Sequence, residues 1–371
     1  MRVLMQLRSN MYSGGEATQV RETSERLRIR GIQVDVSADL EPDLRGIDVV
    51  HVFGLTQPTE PLLQAEHAAR HGVPVVLSPA YQDLSEYNRR GRYGLAAMAY
   101  RLLPSESAVE VAKQVMRLLY APGRRGPLLR LLGVPFHEQQ RRLLERAAVV
   151  LPNSPSEAAA ITGRFAQRAP CRVVPYAAAA ERFLGATPAA FTDATGLRDF
   201  VIAVGFVSSL KNQLRLIAAL DGTGLRLVVA GSRVPTHAGY YRAVRRAAAR
   251  HGVVMLGHVP HEQLASALAA ARIVALPSWF ETCGMAGLEG VLAGCRPMIT
   301  NRGYTRDYFG DGAAYCDPGD VASIRAAVLA AADGPHPAAL RDRILTAFTW
   351  DAAADATLDA YHAVRDARGR G

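Results

Sequence analysis

Two acids, Glu281 and Glu289, stand eight positions apart where a short apolar run gives way to a helical pattern. Ala271–Leu276, closed by Pro277, reads as a buried strand, and Ala286–Ala293 reads as a helix. The intervening loop therefore opens at the carboxyl end of a strand, where open α/β sheets hold their ligands. Glu281 falls on that loop and Glu289 inside the helix. Two acids near a helix start can simply complement its dipole, at about 0.3–1 kcal/mol each. Cys283-Gly284 leaves little side chain before the helix, so the N–H groups of Cys283, Gly284 and Met285 can approach a ligand closely. A carboxylate beside exposed donors suits a polyhydroxylated, anionic ligand such as a sugar on a phosphate.

Two more loops carry candidate chemistry. The apolar run Phe200–Val204 leads through Gly205 to Lys211-Asn212, with a helix expected over Gln213–Leu220. A lysine at the positive end of a helix dipole makes sense if an anion sits there, and otherwise is a solvated side chain. The run Arg2–Leu7 leads to Ser13-Gly14-Gly15, with a helix expected over Ala17–Arg30. That glycine pair either lets the backbone approach a phosphate or makes a plain tight turn.

These loops need strands to hold them. Short apolar runs alternate with helical patterns, the rhythm of a parallel α/β sheet. The expected strands are Arg2–Leu7, Ile32–Val36, Val49–Val52, Val73–Leu77, Ala147–Leu151 and Cys171–Val174 in the first half. In the second they are Phe200–Val204, Leu225–Ala230, Val253–Leu256, Ile273–Leu276, Arg296–Thr300 and Ala313–Tyr315. Each half makes its own doubly wound sheet. Gly185, Pro188 and Gly196 break the pattern, which places the boundary near Phe183 and gives domains of 1–183 and 184–349. An amphipathic helix is expected over Trp350–Val364, followed by a frayed charged tail.

Residues 89–146 depart from the rhythm. They read as helical and basic, with Arg89, Arg90, Arg92, Arg101, Lys113, Arg117, Arg124, Arg125, Arg130, Arg141, Arg142 and Arg146. This segment is either a solvated helical hairpin or a surface that meets an acidic acceptor, a membrane leaflet or a nucleic acid. The net charge of +9 favours acidic partners without choosing among them. Cys171, Cys283, Cys295 and Cys316 form no CxxC pair, so a reducing cytoplasm fits better than a disulfide framework. A first strand at Arg2 leaves no room for a signal peptide, and no apolar run reaches a membrane span. The chain is expected to be cytoplasmic, with a peripheral place at the inner membrane surface as an alternative. His258 and His261 have no third ligand spaced with them, so no metal is expected.

Taken in order, these pieces resemble the GT-B glycosyltransferases, most closely the retaining family 4 type. Glu281 and Glu289 match its E-x7-E, Gly205 and Lys211 its donor-phosphate loop, and Gly14-Gly15 its N-terminal glycine pair. Asn153-Ser154-Pro155-Ser156-Glu157, Val173-Val174-Pro175-Tyr176 and the Trp350 helix also resemble family stretches. The resemblance implies two Rossmann-like domains facing a central cleft, with the 350–371 helix crossing back to the first. It implies a nucleotide-sugar co-substrate with no other cofactor, held mainly by the second domain, and an acceptor against the first. Carried over by position, Lys211 pairs with the donor diphosphate and Glu281 holds sugar hydroxyls. Cys283, Gly284 and Met285 would lend backbone N–H groups, and Glu289 would bond the ribose. Gly205 belongs to the phosphate loop, and Gly14 and Gly15 face the diphosphate. Lys211 and Glu281 are the residues expected to act in catalysis. The leaving phosphate oxygen would take the acceptor's proton on the same face, with a Glu281 nucleophile as the rival.

Two positions depart from the family pattern. Phe206 stands where an arginine usually follows the loop glycine, which removes a fixed positive charge. Arg302 or Arg306 is the candidate replacement. Ser78-Pro79-Ala80-Tyr81-Gln82-Asp83 carries no histidine where many members have one. Two other functions stay open: a nucleotide-sugar epimerase or hydrolase of the same architecture, and a non-catalytic sugar-nucleotide or nucleic-acid binding protein.

Overall fold

The computed structural model describes residues 1–9, 14–94, 97, 98, 100, 129, 131 and 133–368. Ser13 and the expected basic residues Arg101, Lys113, Arg117, Arg124, Arg125 and Arg130 lie outside the described residues. The chain divides into two compact units. One comprises Met1–Tyr81, Leu102–Tyr176 and Trp350–Gly371, and the other Gln82–Arg101 and Ala177–Thr349. The change of unit thus falls after Tyr176, ahead of Phe183. The short helix that holds Phe183 packs on helices of the second unit, and the Phe183 ring is fully buried.

In the first unit, β1 (Arg2–Gln6), β2 (Gln33–Ser37), β3 (Val49–Phe53), β4 (Val75–Ser78) and β5 (Ala147–Val150) form one sheet. Its order is β2-β1-β3-β4-β5, with every pairing parallel. Helices α1 (Gly15–Ile29), α2 (Thr59–Arg70), α3 (Phe136–Arg146) and α4 (Pro155–Phe165) connect them. Strands β3 and β4 are buried along their whole length, which is why they read as continuous apolar runs rather than alternating ones. Cys171–Val174 is not a strand. It runs beside β5 with one isolated bridge, Cys171 to Val150, and its Arg172 and Val174 N–H groups reach the carbonyls of Val150 and Pro152, but Pro152 has no N–H to return and the ladder stops. At α4 the Ser154 hydroxyl accepts from the Glu157 N–H at 3.1 Å, while the Glu157 carboxyl accepts from the N–H groups of Tyr81 and Asn153.

The helix Trp350–Arg368 also packs in the first unit, against α1, and runs past the expected end at Val364. Arg30 binds Asp355 at 2.6 Å and Asp351 at 3.1 Å. Inside the sheet, His51 meets the Tyr361 hydroxyl through Nδ1 at 2.6 Å and the Ser78 hydroxyl through Nε2 at 2.9 Å. Burial pushes the His51 imidazole down to about 3, so it is neutral in the fold.

The second unit carries α5 (Ala180–Phe183), α6 (Ala189–Thr195), β6 (Phe200–Val204), α7 (Gln213–Leu220), β7 (Leu227–Ala230) and α8 (Ala238–Arg250). These are followed by β8 (Val254–Gly257), α9 (His261–Ala270), β9 (Ala271–Leu276), α10 (Met285–Leu292) and β10 (Arg296–Thr300). Then come α11 (Thr305–Phe309), β11 (Ala314–Cys316), α12 (Val321–Asp333) and α13 (Ala338–Ala347). Its parallel sheet has the order β11-β10-β9-β6-β7-β8. This is the dinucleotide-fold order, and the direction of winding reverses between β6 and β9. No helix among the described residues is long and apolar enough to cross a membrane.

Candidate functional site

The reversal point fixes where the chemistry gathers. The loop after β6 carries Gly205 and Lys211, and the loop after β9 carries Glu281, so neighbouring strands deliver both to one carboxyl edge. There the Lys211 Nζ donates to the Glu281 Oε1 at 2.5 Å. The Ser278 hydroxyl donates to the same oxygen at 2.6 Å. The Lys211 side chain is 27% exposed and that of Glu281 only 9%, so the ammonium faces outward over a nearly buried carboxylate.

Backbone geometry holds both loops. Gly205 has a φ of 132°, a region that L side chains rarely adopt. Its carbonyl presses on Gly231, where an added Cβ would lie 1.7 Å from the oxygen. On the other side, Glu281 forms a parallel bridge with Gly303, and a Cβ at Gly303 would stand 1.9 Å from the Glu281 carbonyl oxygen. Asn212, left-handed at a φ of 63°, sends its side-chain amide to the carbonyls of Pro277 at 3.0 Å and Pro318 at 2.9 Å. One buried amide thereby ties together the loops that follow β6, β9 and β11. The Trp279 N–H donates to the Leu210 carbonyl at 2.8 Å, which adds a direct link between the first two.

Gly284 caps α10 with a φ of 72°. Among the described residues, the Cys283 and Gly284 N–H groups donate to no partner, whereas the Met285 N–H is turned to the Cys283 sulfur. The buried Cys283 thiol is held well above its ordinary value by desolvation, and so stays protonated. Glu289 sits on α10, and its carboxylate accepts no hydrogen bond from the described residues. Burial raises it to about 7, with the Arg182 guanidinium pulling the other way. Gly287 and Gly290 seat α10 on the sheet: an added Cβ would meet Ile299 of β10 at 2.9 Å, beside Phe309 of α11 at 2.8 Å, and Val274 of β9 at 2.6 Å respectively.

The structure thus brings Lys211, Gly205 and Glu281 together, with Cys283, Gly284, Met285 and Glu289 following on the same loop and helix. Gly14 and Gly15 stand at the start of α1 in the first unit, where Gly14 has a φ of 100°. The two candidates for replacing the arginine missing at Phe206 stand differently: Arg302 is committed to ion pairs, whereas Arg306 is an exposed side chain. The Arg302 guanidinium binds Glu86 at 2.7 Å and Asp317 at 3.1 Å, and that of Arg306 lies over the Tyr315 ring at 4.2 Å. Sequence reasoning missed Ser278, Asn212, Gly231 and Gly303. Asn212 carried one usable sign, a left-handed-tolerant residue directly before a helix. The close approaches at Gly231 and Gly303 arise from tertiary contacts that no local pattern encodes.

Two parallel-sheet α/β units are the architecture of the GT-B fold. Residues 193–344 match the family model described as Glycosyl transferases group 1. The glycogen synthase of Mycobacterium tuberculosis is 33% identical over 117 residues, which cover 30% of this chain and 28% of that protein. The O-antigen chain mannosyltransferase B of Escherichia coli is 29% identical over 136 residues, 35% of this chain and 36% of that protein. The chain therefore spans about a third of the length of these curated relatives. Among solved structures, sucrose-phosphate synthase from Thermosynechococcus elongatus superposes with a TM-score of 0.73 at 16% identity, covering 99% of this chain and 100% of its own. Anabaena HepE, solved in complex with UDP-glucose, gives a TM-score of 0.62 at 15% identity, covering 100% of this chain and 98% of its own.

Proposed function

We propose that this chain is a retaining glycosyltransferase of the family 4 type, moving a sugar from a nucleotide diphosphate donor to a hydroxyl acceptor. The observation that carries the proposal is the Lys211–Glu281 pair at the β6/β9 reversal, within the stretch matched to glycosyl transferases group 1. Three facts support the assignment of roles. An ammonium has three donors, and only one is spent on Glu281, so two remain for diphosphate oxygens. Lys211 and Ser278 both take the Oε1 of Glu281, which leaves Oε2 to accept from sugar hydroxyls. Glu289, buried without a donor, suits the ribose hydroxyls.

Glycosyl transfer builds negative charge on the leaving diphosphate. Lys211, the start of α7 and the free N–H groups of Cys283 and Gly284 are preorganised to stabilise it. The departing phosphate oxygen then takes the acceptor's proton on the face it vacates, and no nucleophilic carboxylate is required. In this reading the fixed cation does the work of a metal. Turnover should survive EDTA, and a loss that a divalent ion restores would contradict that reading. The basic stretch 89–146 is proposed as the acceptor or membrane contact, and steep weakening of acceptor binding with salt would support it.

A thermal-shift panel of UDP-, GDP-, ADP- and CDP-sugars tests the donor assignment. One donor at 100 times its Kd should add about 2.7 kcal/mol of stability. A flat response across the panel would refute donor binding. Donor consumed without any acceptor would instead point to a hydrolase or epimerase.

A further inference from the structure

The carboxyl edge of the second sheet is partly covered by residues that come from between β4 and α3. Gln82–Arg101 groups with the second unit. Its π-helical turn Tyr87–Gly91 lands on the loops that carry the candidate site, not on a face of the sheet. The Tyr87 hydroxyl bonds the Ser209 hydroxyl at 2.8 Å, two positions before Lys211, and both groups are buried. Gly91 is wedged between the Tyr87 ring and the Trp279 indole, where an added Cβ would stand 2.5 Å from the first and 2.7 Å from the second. Trp279 in turn carries the backbone bond to Leu210. Glu86 takes two bonds from the Arg302 guanidinium, at 2.7 and 3.3 Å. The Arg302 carbonyl faces the Glu281 N–H at 3.4 Å. Arg90 closes the contact by packing beside Gly319 and over the Trp279 ring at 5.8 Å.

An ordinary surface turn leaves its polar side chains to solvent. This one spends a hydroxyl on the phosphate loop, a glycine on the loop before Glu281, and a carboxylate on the loop after β10. We infer that residues 86–91 form a strap that sets the spacing between Lys211 and Glu281, with Tyr87 and Gly91 as positioning residues for the donor diphosphate. None of them needs to touch the donor. They act by fixing Ser209 and Trp279, which fix the two loops. The inference rests on the donor-binding reading proposed above and adds to it residues from the first half of the sequence.

The test is a double-mutant cycle read as the Kd of the nucleotide sugar that the panel selects, by calorimetry on the full chain. Tyr87→Phe and Ser209→Ala should each weaken binding by about three- to tenfold. The double variant should bind no worse than the weaker single, because both changes delete one bond. Gly91→Ala, whose methyl would meet both the Tyr87 ring and the Trp279 indole, should weaken binding at least as much. Each single variant leaves a buried hydroxyl short of its partner and should lower the ligand-free midpoint, so titrations run well below that midpoint, where the chain is folded, separate positioning from folding: affinity should still fall there. A wild type that binds a donor equally well in all these variants, or losses that multiply in the double variant, would overturn the strap alone. A wild type that binds no nucleotide sugar would overturn both the strap and the donor assignment.

Discussion

Removing the Lys211 side chain separates what the pair does for the fold from what it does for a ligand. In the ligand-free chain its Nζ lies 2.5 Å from a carboxylate that is 9% exposed. Truncation to alanine leaves that carboxylate with only the Ser278 hydroxyl. Leaving a mostly buried acceptor short of its charged partner costs about 1–3 kcal/mol, so Lys211→Ala should melt several degrees below wild type. Adding Glu281→Gln removes the orphaned charge and should recover most of that loss. Donor affinity should behave differently. A charge-assisted bond to the diphosphate is worth about 1.5–3 kcal/mol, so Lys211→Ala should raise the donor Kd by about 10- to 150-fold. The double variant should not regain it. In turnover the penalty should grow to about 10²–10³ in kcat/KM, because charge on the leaving group peaks in the transition state. Calorimetric titration with the donor and thermal melting supply both readouts. Donor binding within twofold of wild type in Lys211→Ala would remove Lys211 from the diphosphate site, whatever happened to the melting point.

Two further outcomes follow from particular residues. Gly290→Ala places a methyl 2.6 Å from the Val274 Cγ1, so overpacking of about 1–3 kcal/mol should outweigh the gain of up to about 1 kcal/mol in helix propensity. Denaturant melts should show net loss of stability, and an unchanged or higher midpoint would contradict the packing of α10 on β9. Glu289 gives the pH dependence. Its folded value of about 7 is raised above the ordinary 4.5, so its contribution to stability is complete below 4.5 and is lost as pH rises through 7. A ribose hydroxyl prefers the ionised carboxylate, so binding of a nucleotide sugar should tighten by about tenfold from pH 6 to pH 8. Glu289→Gln should flatten that profile, and a wild-type profile as flat as the variant's would rule out the ribose role.

Much of the second unit was legible because its strands are short, apolar and bounded by breakers. Phe200–Val204, Gln213–Leu220 and Arg296–Thr300 fall where the pattern places them. Cys171–Val174 misled for the converse reason: its composition is that of a strand, but the neighbouring segment offers Pro152, which has no N–H to continue the ladder. The pairing of Lys211 with Glu281 follows from strand order, which periodicity alone does not give. Least legible was the turn at Tyr87. In sequence it belongs to the first half, and its place over the second sheet depends on Ser209, Trp279 and Arg302, all more than a hundred residues away. The basic run was legible as charge but not as pairing. Among its described residues, Arg90 pairs with Glu86, Arg92 lies over the Tyr87 ring, and Arg141 and Arg142 pair with Glu138, partners that the composition of the run does not reveal.

The central claim is geometric, and a crystal structure of the chain soaked with its nucleotide sugar tests it most directly. The account predicts a diphosphate oxygen within hydrogen-bond distance of the Lys211 Nζ, sugar hydroxyls on Glu281 and ribose hydroxyls on Glu289. A donor seated with its diphosphate away from Lys211, or at a different edge of the second sheet, would contradict it.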